Sequence, residues 1–395
     1  MDRPLQRMLA LPIRKDLEKK MVFVGGPRQV GKTTLATMIG ETFGQSAMFN
    51  WDNRDHRKAI LNAQWSPDNH LLVFDELHKY PKWKGWVKGV WDTRQHGERI
   101  LVTGSSRLDV FRRGGDSLLG RYHYYRLHPF TLAELDGSRR SIGAFPKKPP
   151  VLVFKQPSAQ LERLMRWGGF PEPLFAGSDR VLRRWQKERF ERVFREDIRD
   201  TENIRSLSQV ELLGQLLPAR VASPLSFLSL AEDVEASPKT VRSWLELLCR
   251  NYYVFRVPPY HTRIDRALKK EAKYYLWDWS EVTDEGKRFE NLLAGHLLAF
   301  CHHYEDVFGI PVSLCYIRDR LKREVDFLVV WDKKPWLLVE AKTTPEKKLP
   351  ALSAFGDALD VPLRFQVCRE SGIDYQDRLT GIRTLSADKF LTALV

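Results

Sequence analysis

The stretch GPRQVGKTT carries Gly26, four residues, then Gly31, Lys32 and Thr33. Glycines at these points let backbone N–H groups turn inward around phosphate oxygens, and a helix opening at Lys32 adds an N-terminus that favours anions. Lys32 is then placed to reach β- and γ-phosphates, and the Thr33 hydroxyl to ligate Mg²⁺. Gly26, Pro27, Arg28, Gln29, Val30, Gly31, Lys32, Thr33 and Thr34 form the candidate cradle for ATP or ADP. Farther on, LLVFDE ends an apolar strand with Asp75 and Glu76. Asp75 is placed to hold Mg²⁺ through water, and Glu76 to polarise the attacking water. RILVTGSS sets Thr103, Ser105 and Ser106 at another strand end, where a hydroxyl bonds the water or γ-phosphate, or simply ends the strand. Arg121, in LLGRY, could serve a neighbouring subunit's nucleotide, and Arg112 and Arg113 compete for that role.

A second set lies near the other end of the chain. EVDFLVVWDKKPWLLVEAK reads as two apolar strands around a basic turn, interrupted by Asp326, Glu340 and Lys342. Side chains in a strand alternate with period two, so Glu340 and Lys342 share a face. If the strands pair as a hairpin, Asp326 approaches Glu340. Two close carboxylates repel unless a cation lies between them, and hard oxygen ligands suit Mg²⁺ or, as an alternative, Mn²⁺. Upstream, EGKRFENLLAGHLLAFC has Phe289, Leu292, Leu293, Leu297 and Phe300 on one helical face, with Glu290 at its border. The order helix Glu290, strand Asp326, thirteen residues, then Glu340-x-Lys342 resembles the PD-(D/E)XK nuclease pattern. That resemblance implies metal at Asp326 and Glu340, with Glu290 and Lys342 as catalytic partners. The turn RDRLKRE lacks the glycine usual in such hairpins. The competing reading is a retained fold in which Lys342 neutralises a buried carboxylate.

The elements that position both sets follow from hydrophobic pattern. MVFVGG, SAMFNWD, LLVFDE and RILVTGSS alternate with helical patterns, which predicts an α/β fold with a parallel sheet and crossover helices. A Pro-, Lys- and Ser-rich stretch from Asp136 to Gln160 reads as an exposed connection. Beyond it, residues 161–217 read as helical, and the segment from Asp179 to Thr201, dense in both charge signs, as a solvated helix. In SLAEDVEASPKTVRSWLELLCRNYYVFRVPPY, Ser237 is a good N-cap and Pro238 a good first helical residue. Val241, Trp244, Leu245 and Leu248 then face a core. Lys239, Thr240, Arg242, Ser243 and Arg250 are left outward, as a winged-helix recognition helix requires, although such modules also serve as lids and Glu246 shares that face. From Glu285 the order reads helix, three strands, helix, strand.

Composition sets the outer limits. The chain has 395 residues, net charge +14 and sequence pI ≈ 9.6, a bias toward polyanions such as DNA. Cys249, Cys301, Cys315 and Cys368 show no paired spacing and read as reduced structural thiols, and the histidines show no metal-ligand spacing. No apolar run is long enough for a membrane span, and MDRPLQRML lacks a secretory apolar stretch, so a cytoplasmic protein without membrane partner is expected.

GPRQVGKTTL, FDELHKYPKW, LVTGSS, LLGRY…YRLHPFTLAEL and GGFPEP together resemble prokaryotic AAA-type ATPases over most of residues 15–395. Members of that family carry a C-terminal domain similar to the restriction-endonuclease fold. The resemblance implies an AAA-type core over 1–136, a linker and helical connector over 137–204, a winged helix over 205–262 and a nuclease-like domain over 263–395. It also implies assembly as a homo-oligomer. Two functions follow as expectations. One is Mg²⁺-dependent ATP hydrolysis coupled to DNA binding and metal-dependent DNA cleavage. The other is an ATP-driven switch that binds DNA or protein while the nuclease-like domain is inactive.

Overall fold

A computed structural model of the chain describes residues 7–94, 97–105, 118–137, 148–154, 158–198, 206–261 and 271–395. The chain divides into two compact units, Met1–Pro129 and Phe130–Val395.

The first unit is built on five parallel strands in the order β2-β3-β4-β1-β5. They are β1 (Met21–Gly25), β2 (Ser46–Asn50), β3 (Leu71–Asp75), β4 (Arg99–Gly104) and β5 (Tyr122–Arg126). Every residue of β1 and β3 is buried, as expected when helices cover both sheet faces. Register pairs Asn50 with Asp75, Asp75 with Thr103, and Gly25 with Gly104. The carboxyl ends of four strands therefore meet on one edge, where ligands of parallel α/β sheets bind. Phe23, Phe74, Val102, Trp83 and Val87 pack into one core that fixes this edge.

In the second unit, helices Leu207–Arg220, Phe227–Asp233 and Pro238–Arg250 precede a two-stranded antiparallel sheet of β6 (Val254–Val257) and β7 (Lys273–Leu276). Ser237 caps the third helix by accepting from Thr240 N at 3.1 Å, and Val241, Trp244, Leu245 and Leu248 are buried. The expected boundary at residues 262/263 lies outside the described residues. The helix Glu285–Phe308 then packs on a mixed sheet of order β12-β13-β11-β10-β9-β8. Its strands are β8 (Val312–Arg318), β9 (Glu324–Trp331), β10 (Lys334–Lys342), β11 (Leu363–Cys368), β12 (Asp374–Gln376) and β13 (Arg383–Ser386), with the helix Pro350–Ala358 between β10 and β11. Lys322 takes φ 63° in the RDRLKRE turn, the conformation a glycine would otherwise supply.

The charged helix ends as an α-helix at Arg192 and is not wholly solvated: Leu182, Trp185 and Arg189 are buried, and Arg189 pairs with Glu281 at 2.7 Å. None of the four cysteines is in a disulfide. Among the described residues, no helix is long and apolar enough to cross a membrane.

Candidate functional sites

The glycine-rich loop joins the end of β1 to the helix Lys32–Glu41. Gly31 takes φ 98°, which a side chain would oppose. Gly26 is required for a different reason, since a Cβ there would lie 2.4 Å from the Leu127 carbonyl oxygen. Val30 is buried within the loop, and its carbonyl accepts from Arg7 at 3.2 Å. Lys32 is buried and donates to the carbonyls of Gly26 at 3.0 Å and Pro27 at 2.7 Å, while Thr33 and Thr34 are exposed at the helix start.

The end of β3 meets this loop directly. Thr33 Oγ1 donates to Asp75 Oδ2 at 3.0 Å, and Asn50 Nδ2 donates to the same oxygen at 3.1 Å. The Thr103 hydroxyl bonds the other carboxylate oxygen. Glu76 takes φ 56°, a left-handed conformation uncommon for a side-chain-bearing residue. Its Oε2 accepts from Ser105 Oγ at 3.0 Å and lies 3.5 Å from His78 Nδ1. Burial lowers the His78 pKa, and Glu76 opposes that shift. The Thr33–Asp75 pair fits Mg²⁺, being a hydroxyl and a carboxylate beside a phosphate cradle.

The second set assembles where β9 and β10 pair antiparallel, with Phe327 opposite Val339 and Leu328 opposite Leu338. One step further, Ala341 N donates to Asp326 Oδ2 at 3.0 Å. Lys342 Nζ lies 3.3 Å from Glu340 Oε1 and 3.2 Å from Glu346 Oε1. Glu290 arrives from the helix Glu285–Phe308, whose Phe289, Leu292, Leu293, Leu297 and Phe300 are buried. The structure thus gathers Glu290, Asp326, Glu340 and Lys342, and adds residues the motif did not name. Fully buried Lys273 places Nζ 3.0 Å from Glu290 Oε1, 2.8 Å from Glu324 Oε1 and 3.1 Å from Asp326 Oδ1. Tyr275 donates to Glu290 Oε1 at 2.6 Å.

Burial, reinforced by Asp326, pushes the Glu340 carboxyl up to about 8 and the Glu290 carboxyl up to about 7. Burial works against the Lys273 charge, but Tyr275, Glu290, Asp326 and Glu324 outweigh it and hold its pKa well above the usual lysine value. Glu340 Oε2 is buried without a hydrogen-bond partner among the described residues. Among those residues, no group of three or more His, Cys, Asp or Glu side chains is arranged to hold a metal ion. A lysine ammonium stands against Asp326, one of the two residues expected to hold a metal.

A family described as AAA domain matches residues 18–136. These residues form an AAA-type ATPase domain. Residues 158–281 match a second family, described only as a domain of unknown function (DUF8612). An uncharacterized protein of Methanocaldococcus jannaschii is 22% identical over 371 residues, covering 88% of this chain and 81% of that protein. An uncharacterized protein of Mycobacterium tuberculosis is 21% identical over 276 residues, and the match spans only 58% of its length. Among solved structures, a Walker-type ATPase of Pyrococcus abyssi aligns with 69% of this chain and 93% of its own, at 14% identity and TM-score 0.42. The Orc1 protein of Aeropyrum pernix, solved in complex with DNA, aligns with 74% and 92%, at 12% identity and TM-score 0.31.

Arg121, expected to serve a neighbouring subunit's nucleotide, lies away from this chain's own glycine-rich loop. Arg121 immediately precedes β5, and its carbonyl accepts from Met21 N at 3.0 Å, at the start of β1. The glycine-rich loop follows the opposite end of β1, so Arg121 does not serve this chain's own loop. Its guanidinium grips Asp92, with Nε 2.9 Å from Oδ1 and Nη2 3.3 Å from Oδ2. Ser106, Arg112 and Arg113 lie outside the described residues. Asn50 was missed by sequence reasoning. The available signal was a polar residue closing SAMFN, next to the Asp75 strand.

Proposed function

We propose that the chain hydrolyses ATP with Mg²⁺ and uses the nucleotide state to change its grip on DNA. The observation that carries the hydrolytic part is the 3.0 Å bond between Thr33 Oγ1 and Asp75 Oδ2, which joins phosphate cradle to metal carboxylate. Thr33 and Asp75 would hold Mg²⁺ there, and the ion would offset negative charge on the phosphates. Lys32, now turned onto loop carbonyls, exchanges them for phosphate oxygens. Glu76 orients the attacking water, with Ser105 holding its carboxylate. Hydroxyl, carboxylate and ammonium groups thus converge at one strand edge.

The DNA part rests on the three helices and hairpin of residues 207–276, an arrangement with winged-helix order. The helix Pro238–Arg250 buries its apolar face and leaves Lys239, Arg242 and Ser243 exposed. Basic residues on such a face bind phosphates in a salt-dependent way. A net charge of +14 favours the same partner.

Phosphate release from wild type, Lys32→Ala and Glu76→Gln tests hydrolysis. Duplex DNA affinity measured with ATP and with ADP, in wild type and Lys239→Glu/Arg242→Glu, tests the switch. Turnover that survives Lys32→Ala sinks the first part. DNA affinity indifferent to both nucleotide and charge reversal sinks the second.

A further inference from the structure

The structure assigns to Lys273 the place of a divalent cation in the C-terminal carboxylate centre. We infer that this centre is metal-free, its cation being part of the chain.

An ammonium has three N–H donors and no acceptor. Lys273 Nζ meets three carboxylate oxygens, of Glu290, Glu324 and Asp326, between 2.8 and 3.1 Å. Two of its donors bond Glu290 and Asp326, and Glu324 pairs with it by charge, so three carboxylates already share this ammonium. The second Asp326 oxygen is taken by Ala341 N. A divalent ion entering beside Asp326 would meet a fully buried positive charge, which in a low-dielectric interior is strongly repelled. Lysine withdrawal has its own obstacle. Its side chain is anchored on β7, paired register by register with β6, and its exit would leave three carboxylates without their shared cation.

Charge balance agrees. Glu290, Glu324, Asp326 and Glu340 face Lys273 and Lys342, and Arg318 reaches Glu324 from the rim at 3.4 Å. Lys273, Lys342 and Arg318 thus offset much of this negative charge from within the chain. The centre then ties the helix Glu285–Phe308, the hairpin strand β7 and sheet strand β9 together by ion pairs. It does not cleave phosphodiesters through metal. This inference concerns a site separate from the nucleotide loop and stands or falls apart from ATP hydrolysis.

The test is Mn²⁺ titration of the nucleotide-free full chain, followed by calorimetry, electron paramagnetic resonance and thermal unfolding. Wild type and Glu340→Gln are expected to bind equal Mn²⁺. Lys273→Ala is expected to gain a site that stabilises it against heat, lost again in Lys273→Ala/Glu340→Gln. Where Lys273→Ala fails to fold, Lys273→Met/Glu324→Gln removes one negative charge with the positive one and takes its place. Wild type binding one more Mn²⁺ than Glu340→Gln overturns the inference. So does a folded Lys273 variant that gains no site.

Discussion

Ser105 Oγ donates to Glu76 Oε2 at 3.0 Å, joining the residue after β4 to the residue after β3. The same two strands are joined one step earlier, where the Thr103 hydroxyl bonds Asp75. Adjacent carboxylates thus have separate hydroxyl partners: Asp75 is locked between strands and loop, and the Glu76 carboxylate is held by Ser105 at a left-handed backbone position.

Glu76→Gln should therefore lower the turnover number by ~10²–10⁴-fold, the usual contribution of a positioned base, while ATP binding persists. Asp75→Asn should instead abolish the Mg²⁺ dependence of nucleotide binding. Parallel phosphate-release and nucleotide-titration measurements separate the two. Equal effects of both substitutions on binding would refute the division of roles.

Ser105→Ala removes the hydroxyl but leaves the Glu76 carboxylate in place. A fall of about tenfold in kcat with unchanged KM is expected, because only the orientation of Glu76 is lost. A rise in KM with constant kcat would move Ser105 from positioning Glu76 to binding the nucleotide.

Gly26→Ala should break the loop's seat. The added Cβ meets the Leu127 backbone oxygen at 2.4 Å, a clash that no side-chain rotation relieves. Overpacking of this kind costs about 1–3 kcal/mol. Reduced urea stability and weakened ATP binding should appear together. Full ATP affinity in the variant would show that the loop has slack.

Much of this was readable from the chain alone, and the misses have physical causes. β1, β3 and β4 announce themselves as apolar runs because both faces of a parallel sheet are covered. β5, YHYYR, lies at the sheet edge and keeps four of its five residues only half-buried, so no apolar run marked it. The order of Glu290, Asp326, Glu340 and Lys342 was legible because strand period and helix border are local properties. Lys273 was not. Its partners lie 17 and 53 residues away, and a lysine opening a short strand reads as exposed until tertiary contacts bury it. A motif names the residues that recur, not the side chain that fills the space between them.

Protonation of Glu340 makes stability depend on pH in a direction that can be worked out. Burial raises its carboxyl from 4.5 to about 8, with Asp326 adding to the shift and Lys342 and Lys273 opposing it. Between these two values the folded state holds a proton that the unfolded state has released. Stability contributed by this group is therefore complete below about pH 4.5 and is lost as pH rises toward and through 8. Glu340→Gln has no such proton. The stability difference, wild type minus variant, should fall by on the order of 1–3 kcal/mol between mildly acidic and mildly alkaline buffer, measured by urea unfolding without divalent ions. A difference that grows with pH would mean the carboxylate is ionised in the folded state and that a cation other than those named balances it.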